Sequence, residues 1–477
     1  MSTANITTDR PSVESPSNRF YRTVWRWHFY AGLFVIPFML MLALTGIIYL
    51  FKPQLDAAMY RNLMFVQPGG AVLPYTQQVD AAKALYPDAA ISKIIPSVAA
   101  NRSTEVEIKA GDRTLMVFVN PYTGKVLGDR DENQNLQSIA RKLHGELMIG
   151  KVGDYLIELA ACWGLVLLIT GLYLWLPRKG LSVWGTLLPR LGNRNRRIFW
   201  RDLHAVPGLY GGLLIGFLIL TGLPWTGFWG ETFAQVWNQF PAQMWNDVPQ
   251  STQLTGSLNQ NGQNVPWAVE QMPLPLSQKP SQMPSQSHDH SAGHSASGHA
   301  EAAPVTLNSV IALAQTKGVV PGFNVTLPGG ETGVYTVSAF PDNPAQEATL
   351  HIDQYSGAVL ADVRWQQYGL VPKAVELGIA IHMGKYFGLA NQLLMLFACL
   401  VILLLCVSGV VLWWKRRPAD RLGAPPLPEH VQQWRIPLAI VAISGLAFPL
   451  VGLSLVTVLL LDYGVFSRIP ALRRLLG

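Results

Sequence analysis

The feature that most limits what this chain can become is its set of apolar runs. A hydrocarbon core about 30 Å thick takes about 20 apolar residues in a helix. Four stretches meet that length: 25–51, 155–176, 209–228 and 389–414. A fifth, 436–461, carries Pro449 near its middle and reads as either a kinked span or a tight hairpin. Only 14% of the 477 residues are charged, against roughly 25% in soluble domains. The net charge of +7 does not point to nucleic acid, because the basic residues sit where a membrane protein keeps them. Arg19, Arg22 and Arg26 precede or open the first run, Arg190, Arg194, Arg196, Arg197 and Arg201 lie between the second and third, and Lys415, Arg416 and Arg417 follow the fourth. The positive-inside rule makes these segments cytoplasmic and puts the two long polar segments outside. The tail, with Arg468, Arg473 and Arg474, fits that scheme only if 436–461 turns back as a hairpin. The cysteines, Cys162, Cys399 and Cys406, all lie within apolar runs and read as packing residues.

The chain is also a duplicated unit. From His28 it is four residues to Gly32 and 17 to Thr45, and the same steps lead from His204 to Gly208 and Thr221. From His144 it is six residues to Gly150 and 26 to Thr170, and the same steps lead from His382 to Gly388 and Ser408. In each case a glycine follows the hydroxyl residue. The polar segments repeat too: VFVNPYTGKVLGD at 117–129 matches LHIDQYSGAVLAD at 350–362, and each reads as a hairpin preceded by a helix, at 76–85 and 307–314. The expected plan is a tail 1–24, span one 25–51, outer domain 52–143, span two with an outer extension 144–177, a basic loop 178–203, span three 204–229, an interfacial helix and linker 230–303, outer domain 304–381, span four 382–414, a loop 415–435, a span or hairpin 436–463 and a tail 464–477. Residues 241–303 are rich in Gln, Ser, Pro and Asn and are expected to be a disordered tether.

A single histidine beside a span is most simply a headgroup or interhelical contact, but four at duplicated positions point to coordination. Depth selects the pairs. His28 and His204 begin outward-running spans, whereas His144 and His382 lie at the outer ends of inward-running ones. At 1.5 Å per residue, 17 residues separate His28 from Thr45 by roughly 26 Å, so a cross-pair would have to reach through the membrane. The workable pairs are His28 with His204 on the inner side and His144 with His382 on the outer side. Two facing imidazoles suit the axial positions of a haem, whereas zinc wants three or four protein ligands. The expectation is two b-type haems. Gly32 and Gly208, one turn from their histidines, leave room for a flat macrocycle or serve close helix packing. Arg26 and Arg201 are placed either to pair with propionates or to anchor the span. His288, His290, His294 and His299 read as a loose divalent-metal site or as a polar tether. The GxxxxGK match at 145–151 lacks the following Ser or Thr and follows no strand, so it carries no phosphate-loop meaning.

LHGELMIGKVGDYLIELAACWGLVLLITGLYLWLPR, WRDLHAVPGLYGG, LTGLPWTGFWG, GIAIHMGKYFGLANQLL and VSGVVLWWKRRP, together with the two Tyr-x-Gly hairpins, resemble the PepSY-associated transmembrane family. That family includes inner-membrane ferric-siderophore reductases of the FoxB and PiuB kind. The resemblance covers most of 20–420. It implies a membrane α-helical bundle of four core spans with two small α+β PepSY-like periplasmic domains, in a bacterial inner membrane. It also implies electron transfer through haems held by His28, His144, His204 and His382, with a ferric siderophore or other periplasmic ferric chelate as acceptor. No nicotinamide or flavin fingerprint is present, so the expected donor is a separate cytoplasmic molecule or a quinol. Two rival readings remain. One is a non-redox PepSY module that binds a periplasmic peptide, protease or metal partner. The other is a transporter, which the same-orientation repeats and uncharged span centres disfavour.

Overall fold

The computed structural model describes residues 16–178, 180, 182–238, 242–261, 264–279, 305–418, 421–423, 442–443, 445–461 and 468–469. The chain divides into two units. A membrane unit takes 1–44, 144–229 and 397–477, and a sheet unit takes 45–143 and 230–396.

The principal helices are α1 (Pro16–Leu50), α2 (Tyr75–Leu85), α3 (Leu136–Glu146), α4 (Lys151–Trp175), α5 (Arg196–Gly222), α6 (Leu307–Thr316), α7 (Leu370–His382), α8 (Gly388–Arg416) and α9 (Pro449–Leu461). Of these, α1, α4, α5 and α8 are long and apolar enough to cross a membrane. They pack through small residues, as helices in lipid do. A Cβ on Gly164 would lie 2.9 Å from the Met39 Cε of α1, and one on Gly211 would lie 2.6 Å from the Val401 Cγ1 of α8. Glu158, the main acid within the spans, is buried and satisfied. Its carboxylate accepts the backbone N–H groups of Phe228 (2.9 Å) and Trp229 (3.0 Å), closing the turn that follows α5. Beyond that turn the expected interfacial helix is irregular, a single π turn at Gly230–Ala234 and a 3-10 turn at Gln235–Trp237.

The outer ends of the planned spans two and four are separate helices. His144 lies in the last turn of α3 and His382 ends α7, and the chain turns sharply before α4 and α8. Gly150 (φ +66°) and Gly388 (φ +58°) make those turns in the left-handed region that glycine tolerates. The 26-residue step from His144 to Thr170 is therefore not one straight helix. In the last apolar segment the described residues, 442–443 and 445–461, are broken at Pro449. Ideal Cβ atoms built on Gly445 and Gly452 each fall 3.0 Å from the other's Cα, whereas residues seven apart in a continuous helix are roughly 10 Å apart. Pro449 opens α9, where its missing N–H costs nothing. Val451 of α9 then packs on Cys162 and Leu223, and Ser454 accepts from the Trp163 indole at 3.2 Å.

The sheet unit holds both expected α+β halves, joined in one sheet rather than standing as two domains. Its strands are β1 (Ala90–Ile95), β2 (Thr104–Ala110), β3 (Arg113–Val119), β4 (Val126–Asp131), β5 (Asn324–Thr326), β6 (Val334–Ala339), β7 (Ala348–Asp353) and β8 (Val359–Arg364). They form one antiparallel sheet in the order β8-β7-β6-β5-β1-β2-β3-β4. Each half contributes four strands, and the halves join where β1 meets β5 through the pairs Lys93–Thr326 and Ile94–Val325. Pairing two equivalent strands removes two exposed edges at once. It also makes the core continuous: Ile94, Val106 and Val117 share one buried cluster with Val325, Val337 and Leu350, beneath α2 and α6. The two repeated hairpins have matching turns. Asn120 and Asp353 accept backbone N–H groups two residues on, and the Tyr122 and Tyr355 hydroxyls donate to loop carbonyls at 2.7 Å.

The insertion corrects the sequence plan. Residues 242–279, apart from 262–263, are folded onto the far face of the second half-sheet, where Trp245, Val265, Trp267 and Met272 are fully buried. Trp245, Val265 and Met272 share a cluster with Ala361, Val363 and Tyr368. The polar composition misleads because these few large side chains need no core of their own and bury against a sheet that already exists. His288, His290, His294 and His299 lie outside the described residues.

Candidate functional site

α1 and α5, equivalent helices of the two repeats, bring His28 and His204 together. Their ring centroids are 6.5 Å apart and their planes are at 87°. Each ring is held from behind by the other span of its own repeat. His28 Nδ1 lies 2.9 Å from the Thr170 hydroxyl of α4, and His204 Nδ1 lies 2.9 Å from the Ser408 hydroxyl of α8.

The single proton of each hydroxyl is already placed. Thr170 donates to the Val166 carbonyl at 2.7 Å, and Ser408 donates to the Leu404 carbonyl at 2.6 Å. Both hydroxyls therefore accept from the histidines, so Nδ1 carries the ring proton and Nε2 is left as the lone pair. That is the tautomer a metal-ligating imidazole uses when its other nitrogen is hydrogen-bonded.

The donor set fits an axial pair. Two imidazoles on opposite faces of one iron, at about 2 Å per metal–nitrogen bond, put their ring centroids roughly 6 Å apart. Among the described residues no group of three or more His, Cys, Asp or Glu side chains is placed to hold a metal ion, so the inner pair lacks the fuller ligand set of a zinc site.

The family model for the PepSY-associated TM region matches residues 25–416. The chain belongs to that family. It is a membrane protein, and the match takes in all four apolar spans and the whole eight-stranded sheet. No curated protein matches the chain.

The other residues singled out from the sequence fall as follows. His144 lies in the last turn of α3, half-buried, and its ring donates to the Leu42 backbone carbonyl of α1. His382 is the last residue of α7, in the sheet unit. Gly32 and Gly208 face Leu167 (3.9 Å from a built Cβ) and Leu405 (3.3 Å), so each lets its helix approach the other span of its repeat. Arg26 bonds the Tyr30 hydroxyl at 3.2 Å. Arg201 is more than half exposed and bonds Asp202 at 2.8 Å. Asp202 itself is fully buried and also takes Arg190 in a two-pronged pair at 2.7 and 3.0 Å, which pins the basic loop to the start of α5. The residues that sequence reasoning passed over are Thr170 and Ser408. Their signal was present as a conserved spacing between the repeats, but spacing alone shows a landmark rather than a contact.

Proposed function

We propose that this protein is a di-haem b reductase of a bacterial inner membrane, passing electrons outward to a periplasmic ferric chelate such as a ferric siderophore. The observation that carries the reading is the pair of imidazoles 6.5 Å apart, each with Nδ1 occupied and Nε2 available. His28 and His204 hold the inner haem. The repeat assigns His144 and His382 to the outer one. Haem supplies one-electron carriage across the bilayer, from a cytoplasmic or quinol donor to an acceptor whose iron is released on reduction, because Fe(II) binds hard oxygen ligands less tightly than Fe(III).

The chain's own part is to hold ligands and exclude water. α1, α4, α5 and α8 supply an apolar surround, and the hydroxyls of Thr170 and Ser408 hold the two inner imidazoles by Nδ1. Arg26 and Arg201, beside the inner histidines in sequence, are the residues that would pair with propionates on leaving Tyr30 and Asp202. Fe(III) reduction needs no general acid or base, which agrees with a bundle whose main acid, Glu158, is spent on a turn. The sheet unit is assigned to the periplasm as a paired PepSY-like platform. A reduced-minus-oxidised spectrum of the purified protein tests the proposal. Two b-type haems per chain, reoxidised anaerobically by a ferric siderophore, are expected. A spectrum without haem bands would end the reductase reading in favour of a non-redox binding module.

A further inference from the structure

Each span carries one hydroxyl–glycine step: Thr45-Gly46, Thr170-Gly171, Thr221-Gly222 and Ser408-Gly409. We propose that two of these steps, Thr170-Gly171 and Ser408-Gly409, are positioning residues for the inner haem's ligands: each hydroxyl accepts the Nδ1–H hydrogen bond of the histidine on the other span of its own repeat, aims Nε2 at the iron, and through that hydrogen bond sets the iron's reduction potential. The proposal rests on the haem reading above and assigns a part to residues that reading leaves idle.

Three observations carry it. The first is the proton count at Thr170 and Ser408. A Ser or Thr within a helix often bonds its own preceding turn and nothing else. Here the hydroxyl bonds its own turn and also accepts from an imidazole, so both of its capacities are used.

The second is a recurring backbone contact. The Leu167 carbonyl, three residues before Thr170, lies beside the His28 ring. The Leu405 carbonyl, three residues before Ser408, lies likewise beside His204. At the outer end, the carbonyl that bonds His144 is that of Leu42, three residues before Thr45. Histidines at both ends of the bundle thus meet the same register of a hydroxyl–glycine step. Within the first repeat the arrangement is reciprocal: α4 holds the histidine of α1, and α1 holds His144.

The third is clearance. A Cβ on Gly171 would lie 3.2 Å from His28 Cε1, and one on Gly409 would lie 3.6 Å from His204 Cε1. The glycine admits the ring edge that the hydroxyl then fixes.

A hydrogen bond accepted from Nδ1–H makes the imidazole a stronger donor to iron, which favours Fe(III) over Fe(II) and lowers the potential. Removing the acceptor raises it. The test is a redox titration of the purified full-length protein, following the haem absorbance of Thr170→Val, Ser408→Ala and Thr170→Ser. In the first two variants the inner component is expected to move to higher potential while the outer component stays and haem content remains two per chain. Thr170→Ser, which keeps the acceptor, is expected to titrate as the parent does. An unmoved inner component with both haems bound overturns the proposal and leaves the haem reading standing.

Nitrogen-15 NMR of histidine-labelled protein without haem separates the two readings further. His28 and His204 are expected as Nδ1–H tautomers in the parent, and that state is expected to be lost at His28 in Thr170→Val and at His204 in Ser408→Ala. Tautomers unchanged by either substitution sink the positioning role whether or not haem binds. Should Thr170→Val fail to fold, Gly171→Ala serves instead. It is expected to tilt the His28 ring and shift the low-spin EPR signal of the inner haem, and an unaltered signal counts against the proposal.

Discussion

In the membrane bundle, His28 and His204 rest Nδ1 on hydroxyls 2.9 Å away. In the sheet, His351 of β7 does the same with Thr336 of β6 at 3.0 Å, and it is fully buried. The hydroxyl–Nδ1 distance is nearly the same in all three. What differs is the far side of the ring. Each bundle histidine faces a second imidazole, whereas the His351 Nε2 has no hydrogen-bond partner among the described residues. A neutral, hydroxyl-held histidine is thus not itself a site. The site is made by the second, equivalent helix that brings another one opposite.

The largest effect that would break this comparison is on haem. His204→Ala is expected to remove one of two haems, halving the pyridine-haemochrome yield per chain, and His351→Ala is expected to remove none. If His351→Ala lost haem, the distinction between the regions would fail.

Next comes the seam of the sheet. Ile94 is fully buried at the β1–β5 junction, and Ile94→Ala should cost about 2–5 kcal/mol. Because the core is shared, limited proteolysis is expected to cut the halves 45–143 and 305–396 together. Cleavage of the first half alone would show two independent domains after all. Met272, a buried residue of the insertion that packs on β8, sharpens the same point. Met272→Ala is expected to expose 242–279 to protease while leaving both haems in place.

A smaller effect is on pH. Burial pushes His351 down to about 4 from its ordinary 6.5. The unfolded chain therefore takes up a proton between those values while the folded sheet does not, so stability contributed by neutral His351 is full above about 6.5 and is lost as pH falls toward 4. A shift of that size corresponds to at most roughly 3 kcal/mol. The drop in thermal midpoint between pH 7 and pH 5 is expected to shrink in His351→Leu, and an undiminished drop would remove His351 as its source. The smallest expected effect is deletion of 281–303, which should abolish binding to a nickel resin and leave the haem spectrum unchanged.

Much of this molecule was legible from spacing. The four spans, the duplicated histidines, the paired hairpins and the inner pairing all follow from helix rise, hydrocarbon thickness and strand alternation, which act along the chain and need no partner to be recognised. The break at Pro449 was legible too, whereas the close approach of Gly445 to Gly452 around it was not.

What the tertiary structure decided are the contacts between segments far apart in sequence. A strand's pattern of buried and exposed residues is the same whether its edge meets solvent or the equivalent strand of the other repeat, so β1 and β5 gave no sign of joining. A Gln- and Asn-rich insertion with four spaced large apolar residues has no core of its own, and only the face of β8 shows where Trp245 and Met272 go. A threonine 26 residues beyond a histidine in the same repeat is a landmark until the fold lays it 2.9 Å from the other one. The sequence by itself determined the spans, the repeat and the histidines that face each other. Which hydroxyl holds each imidazole, and hence which nitrogen is free, was decided by the packing of helices, because a hydrogen bond depends on ångströms between side chains rather than on intervals along the chain.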